Sequence, residues 1–367
     1  MTRAQARPRL YLFMALAVAL ALGGGTAYAL GGARSFAVYQ QANARYQTAC
    51  DSLISWEPPA DILTGFYSNQ QRLVTVRYRS QTAQALDIAV SVPNLTQTQE
   101  FEAHAGTVTQ VQDYWPPIAS PQALEALVGP QKRDGRILLT VRRADGSECS
   151  LSAPVTLYSR QMMRWSDAAG ADNSSYLAGW VTPQANVIRD LVGRAASQIS
   201  QYPSEYAGVS ALAGYDEGRA QPAAVVAQVN ALFDTLRQTY HLRYAQMNVP
   251  YRQDAMQLIQ LPRDVLTSAA PTAMCVESTV IMASAIERLG MRPYIVFVPG
   301  HVYLGVATDA QSSAIEYWET TPSNEGTNGA QANQYGDTKV AEAYHVGNVL
   351  RTLDILAARA QGILPME

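Results

Sequence analysis

Three residues in the C-terminal half have the types and the order of a thiol catalytic triad: Cys275, His301 and Glu319. Cys275 opens a run to Leu289 that carries charge only at Glu277, Glu287 and Arg288. A helix so apolar on all sides belongs inside a core. A thiol in its first turn meets the positive end of the helix dipole and unpaired N–H groups, and both favour the thiolate that attacks carbonyl carbon. Such a nucleophile needs a base, and histidine is the side chain whose ordinary pKa suits the task near neutrality. His301 follows Pro299-Gly300, at the expected start of a strand. The third member must hold the imidazole in one tautomer and stabilise its protonated form, and Glu316 and Glu319 are the candidates.

The elements that must position these groups are readable around them. Gly290 is a stop signal for the helix, and Tyr294–Val298, His301–Val306 and Ala314–Thr320 read as strands. If the last two pair antiparallel with Val306 opposite Ala314, His301 faces Glu319 and Tyr303 faces Tyr317. Glu316 then points to the other face of its strand, which favours Glu319. Upstream, Val226, Val229, Phe233, Leu236 and Tyr240 share one helical face and predict a core-facing stripe. The tail reads as polar from Ser323 to Gly336 and helical from there through Ala360.

The N-terminal half has a different period. Leu86, Ile88, Val90 and Val92 alternate with smaller or polar residues, Ile137–Val141 reads as another strand, and Asp145-Gly146 is a turn signal. Short strands from about Ile62 to Leu157, punctuated by Pro and Gly, predict an antiparallel β-sandwich. The expected organisation is therefore residues 1–34 as an N-terminal signal anchor or signal peptide, 35–160 as the sandwich and 161–367 as an α+β catalytic domain. Met162, Met163, Trp165, Tyr176 and Trp180 are expected to pack between the two domains.

At the N-terminus, Arg3, Arg7 and Arg9 precede an uncharged, mostly apolar run, Leu10–Ala33. A basic flank kept in the cytoplasm sends the downstream chain outward. As an anchor the run is long enough to span a bilayer; as a signal peptide, Ala27-Tyr28-Ala29 supplies the small residues of a cleavage site. The anchor is the preferred reading. Either one puts the rest of the chain outside the cytoplasmic membrane, single-pass or secreted. There, paired cysteines oxidise. Cys50 and Cys149 lie in the same half, so their pairing would leave Cys275 as a free thiol.

Composition bounds the function. With 48% hydrophobic residues among 367 and a formal net charge of −3, the chain has material for real cores and no basic field for nucleic acid. No Cys or His pair has ligand spacing, so neither metal nor cofactor is expected. His104, His241 and His345 have no catalytic context and read as ordinary surface or packing residues.

The segments Cys275–Gly290, Pro293–His301 and Glu319-Thr320-Thr321 resemble bacterial transglutaminase-like domains. In that family a Cys opens the central helix, a Gly closes it, a His begins the next-but-one element and an acid comes after it on an adjacent strand. Two positions depart from the pattern. Glu277 stands where that branch is expected to carry Asp, and Glu319 stands where many relatives have Asp. The stretch Gln257–Pro262 is also similar to a Gln-x-Ile-x-x-Pro segment of the branch, and the resemblance implies Gln257 as an oxyanion donor beside the backbone N–H of Cys275. It covers roughly Val225–Leu364. It implies a papain-type thiol enzyme acting by acyl transfer on a protein or peptide substrate in the cell envelope. Hydrolysis by a protease or amidase is preferred over cross-linking by a transglutaminase. Two other readings stay open: a catalytically silent envelope module of the same fold, used for binding or scaffolding, and a sandwich that is itself the binding part.

Overall fold

A computed structural model describes residues 47–50, 53–67, 72–127, 132–167, 170–216, 221–246, 255–321 and 326–367. The apolar run at Leu10–Ala33 lies outside them. Among the described residues no helix is long and apolar enough to cross a membrane.

The chain divides into two units that are discontinuous in sequence. One comprises the described parts of Met1–Pro59 with Arg72–Pro117 and Arg136–Ala153; the other comprises Ala60–Gln71, Ile118–Gly135 and Pro154–Glu367. Residues 60–67, 118–127 and 154–160, expected in the sandwich, thus group with the C-terminal half. The physical reason is visible in pairing: strand β3 (Asp61–Leu63) runs parallel to the end of β9 (Glu148–Tyr158), with Ile62 beside Leu157.

The first unit is built from antiparallel ladders. One sheet has the order β1 (Gln47–Ala49), β2 (Ile54–Glu57), β4 (Val74–Tyr78), β7 (Gln110–Tyr114). In the other, β6 (Gln99–Ala105), β5 (Gln84–Ser91), β8 (Lys132–Arg143) and β9 are successive neighbours, the ends Lys132–Gly135 and Pro154–Tyr158 belonging to the second unit. Leu86, Ile88 and Val90 of β5 and Ile137, Leu139 and Val141 of β8 are buried while residues between them are exposed or partly so, the period-two pattern of strands with one covered face. Gly146, with φ of +81°, makes the turn between β8 and β9. A disulfide joins Cys50 to Cys149, and Cys275 is the free cysteine.

The second unit is mixed α/β. Its sheet has the order β16 (Ile315–Trp318), β15 (His301–Ala307), β14 (Pro293–Val298), β17 (Arg351–Asp354), every neighbour antiparallel. Its helices are α1 (Thr64–Tyr67), α2 (Pro121–Glu125), α3 (Asn186–Gln201), α4 (Pro222–Gln238), α5 (Pro262–Leu266), α6 (Cys275–Arg288), α7 (Gly329–His345) and α8 (Ile355–Ala360). The short strands β10 (Met162–Arg164) and β12 (Met256–Leu258) pair antiparallel; β11 (Arg243–Tyr244) and β13 (Thr272–Ala273) pair parallel. Helix α6 is the hub: every residue from Cys275 to Ile286 is buried, and Gly290 takes a left-handed φ of +74° just past its end. The stripe on α4 is inward, with Val229, Phe233 and Leu236 in the core and Val226 and Tyr240 packed against it.

Met163, Trp165 and Trp180 lie inside the core of this unit, with Met162 and Tyr176 against it. One expectation about this unit is corrected. The tail is not one helix after Gly336. Helix α7 starts at Gly329, capped by Asn328, whose side chain accepts from the Gln331 N–H. It stops at His345, Gly347 turns the chain with φ of +72°, and β17 then pairs with β14.

Candidate active site

Cys275 is the first residue of α6 and is 5% exposed. N–H groups in a first helical turn have no intrahelical partner, so Cys275 stands among donors. His301 is the first residue of β15, placed there by a tight turn in which Pro299 fixes one backbone angle and Gly300 takes φ of +77°. Its Nε2 lies 2.9 Å from Glu319 Oε2. A carboxylate only accepts, so Nε2 carries the proton.

The strand register that brings them together is not the expected one. Val306 pairs with Glu316, and Gly305, not Tyr303, pairs with Tyr317; β16 ends at Trp318. The shift is two residues, which keeps every side chain on its face. Glu319 therefore still reaches His301, from just beyond the strand. Glu316, in contrast, meets Asn333 of α7 at 3.5 Å.

Glu319 is held from all sides. Its Oε1 accepts from the Thr321 N–H at 2.8 Å and the Thr321 hydroxyl at 2.6 Å. Its own N–H donates to the Ala332 carbonyl of α7 at 3.0 Å. Gly336 lets α7 come this close: a Cβ there would sit 2.6 Å from the Tyr317 carbonyl and 2.7 Å from the Glu319 nitrogen. Thr320 meets Thr279, one turn along α6 from Cys275, at 3.0 Å. Both threonines of the Glu-Thr-Thr segment thus fix the acid to its surroundings.

The electrostatics follow from this packing. Burial alone would lower the pKa of His301, but hydrogen bonding to Cys275 and Glu319, and the charges of both, lift it from 6.5 to about 10. Burial works against the charge of Glu319, yet the hydrogen bond and charge of His301 and the two Thr321 donors hold its carboxyl below the usual range. An imidazole so placed is protonated at neutral pH, with the Glu319 carboxylate against its Nε2.

Gln257 is 6% exposed on β12. Its Oε1 accepts from Trp165 Nε1–H at 2.8 Å, which fixes the amide so that Nε2 faces the other way, where it donates to the sulfur of Met274, the residue before Cys275, at 3.5 Å. A carboxamide N–H is therefore presented at the start of α6. Trp165, which packs edge-on against Phe297 with ring centroids 5.8 Å apart, was not expected to serve the site. Two tyrosines were also missed. Tyr303 meets the His301 ring edge-on at 4.7 Å, and the pKa of Tyr244 is raised by burial and by the nearby charges of Cys275 and Glu319. The alternation of β15 could have pointed to Tyr303; nothing local marks Tyr244.

No protein-family model, curated protein or solved structure matches this chain. The functional reading therefore rests on the site itself. Among the described residues, no group of His, Cys, Asp and Glu could hold a metal ion.

Proposed function

We propose that this chain is a thiol acyl-transfer enzyme of the transglutaminase-like, papain-type class, acting on amide or peptide bonds outside the cytoplasmic membrane. The observation that carries the reading is the imidazole of His301 hydrogen-bonded to a buried carboxylate and raised to about 10 in the presence of the Cys275 thiol. Cys275 attacks the carbonyl carbon, and the developing oxyanion is met by Gln257 Nε2–H and the Cys275 backbone N–H. His301 then gives its proton to the leaving amine, while Glu319 keeps the ring oriented. Water, or an amine, completes the cycle by attacking the thioester; hydrolysis is favoured because water needs no pocket of its own. The Cys50–Cys149 disulfide supports placement in an oxidising compartment. The same reading takes the first unit as a β-sandwich.

The test uses p-nitrophenyl acetate, an activated ester that demands no particular substrate pocket. Wild-type protein releases a burst of nitrophenolate and carries an acetyl group on Cys275 by peptide mass mapping; Cys275→Ala gives neither. An unmodified Cys275, or an undiminished burst from Cys275→Ala, ends the proposal. One observation favours a second reading, the silent binding module: the thiol is almost fully buried. A Cys275 that reacts with no electrophile in the folded protein supports that alternative.

A further inference from the structure

The carboxylate of Glu277 is 2% exposed and has no cation among the groups that act on it. Its two oxygens go to different segments. Oε2 accepts from the Met274 backbone N–H at 2.8 Å, and Oε1 accepts from the Gln260 backbone N–H at 2.7 Å. The first bond is the familiar return of a third-position glutamate to the residue that caps its own helix. The second has no part in capping. It ties the first turn of the Cys275 helix to the segment three residues beyond Gln257. Other bonds fix that segment on its far side, since the Ile259 N–H donates to the Gln161 carbonyl at 2.8 Å and the Ile259 carbonyl accepts from Trp180 Nε1–H at 2.9 Å.

We infer that Glu277 is a positioning residue that staples the Gln257 segment to the start of the Cys275 helix and so sets the spacing between the two oxyanion donors. The inference rests on the acyl-transfer reading above. Burying a lone carboxylate is costly, and it is tolerated here because both oxygens receive backbone N–H bonds. A glutamate serving only as a helix cap would need just one of them. The geometry of an oxyanion hole is demanding, because a misplacement of about 1 Å costs on the order of 10²-fold in rate. Alkylation by iodoacetamide, by contrast, is a displacement at saturated carbon. It forms no oxyanion and reads only the Cys275–His301 pair.

The two probes therefore separate the roles. In Glu277→Gln the amide turns an N–H toward one of the two backbone donors and breaks one arm of the staple. Acetylation of Cys275 by p-nitrophenyl acetate is expected to fall by about 10- to 100-fold, within the range for a displaced donor, while iodoacetamide alkylation stays within about twofold of wild type. On a Gln257→Ala background the same substitution should add little, the non-additivity of two residues acting as one unit. If Glu277→Gln does not fold, Glu277→Asp keeps the charge on a shorter side chain and should show the same split. Equal loss with both probes, full additivity with Gln257→Ala, or wild-type acetylation in the folded variants would overturn the staple while leaving the enzyme reading intact. A wild-type chain that is not acetylated at Cys275 overturns both.

Discussion

Replacing Glu319 with Gln keeps the shape of the side chain but removes a negative charge 2.9 Å from His301 Nε2. In the wild type, burial lowers the imidazole's pKa, while hydrogen bonds to Cys275 and Glu319 and the charges of both more than reverse the effect, giving about 10 against an ordinary 6.5. One opposite charge at contact distance is worth about 1–3 pKa units, or about 1.4–4 kcal/mol of preference for the protonated ring. The His301 titration should therefore fall by about 1–3 units in Glu319→Gln. Because the folded-state value is raised, the stabilisation from charged His301 is complete below pH 6.5 and disappears as pH rises through about 10. At the acid end Glu319 is depressed, so its contribution is present above its ordinary value of 4.5 and is lost as pH falls through its lower folded value. The assay is NMR of the full chain labelled with ring-¹³C histidine. Only four histidines are present, and His301→Ala assigns the signal. A wild-type His301 titrating near 6.5, or one midpoint shared by wild type and Glu319→Gln, would mean that the Glu319 charge does not hold the ring protonated.

Other contacts carry further expected outcomes. Gly336→Ala forces a Cβ against the backbone of Tyr317 and Glu319 and should cost about 1–3 kcal/mol in chemical denaturation, with slower acetylation of Cys275; unchanged stability would mean that α7 is not packed so closely. Trp165→Phe removes the donor to Gln257 Oε1, leaving a buried acceptor unpaired at about 1–3 kcal/mol, and should slow acetylation without altering alkylation. Reducing the Cys50–Cys149 bond, which closes a separation of 99 residues, should destabilise the first unit by up to about 4–5 kcal/mol on the chain-entropy account. Thiol titration of the denatured, unreduced chain should find one free cysteine, and a count of three would contradict the pairing.

Much of the site was legible because its residues announce themselves locally. An apolar run closed by Gly290 marks the helix, and Pro299-Gly300 marks the turn that starts the histidine strand. The register was read two residues out, since Ile315–Trp318 is shorter than its β-prone sequence suggests. The His301–Glu319 contact survived because an even shift preserves the face of a strand. What stayed hidden depends on pairings remote in sequence. Trp165 is 92 residues from Gln257, and only the β10–β12 ladder brings them together. The discontinuous units are likewise a matter of which strand Asp61–Leu63 joins, and nothing in that short segment names its partner. The first half of helix α7 was missed in a Gly- and Asn-rich stretch because composition outweighed the Asn328 cap.

Activation of Cys275 by His301 is tested most directly by iodoacetamide alkylation of the native chain at about pH 6, where an ordinary thiol with a pKa of about 8.5 is almost wholly protonated. With Cys50 and Cys149 joined, Cys275 is the thiol that reports. Rapid alkylation is expected in the wild type and a rate reduced at least about tenfold in His301→Ala, since loss of the charged partner removes at least about one pKa unit of support. A wild-type Cys275 that reacts at the same slow rate with or without His301 would contradict it.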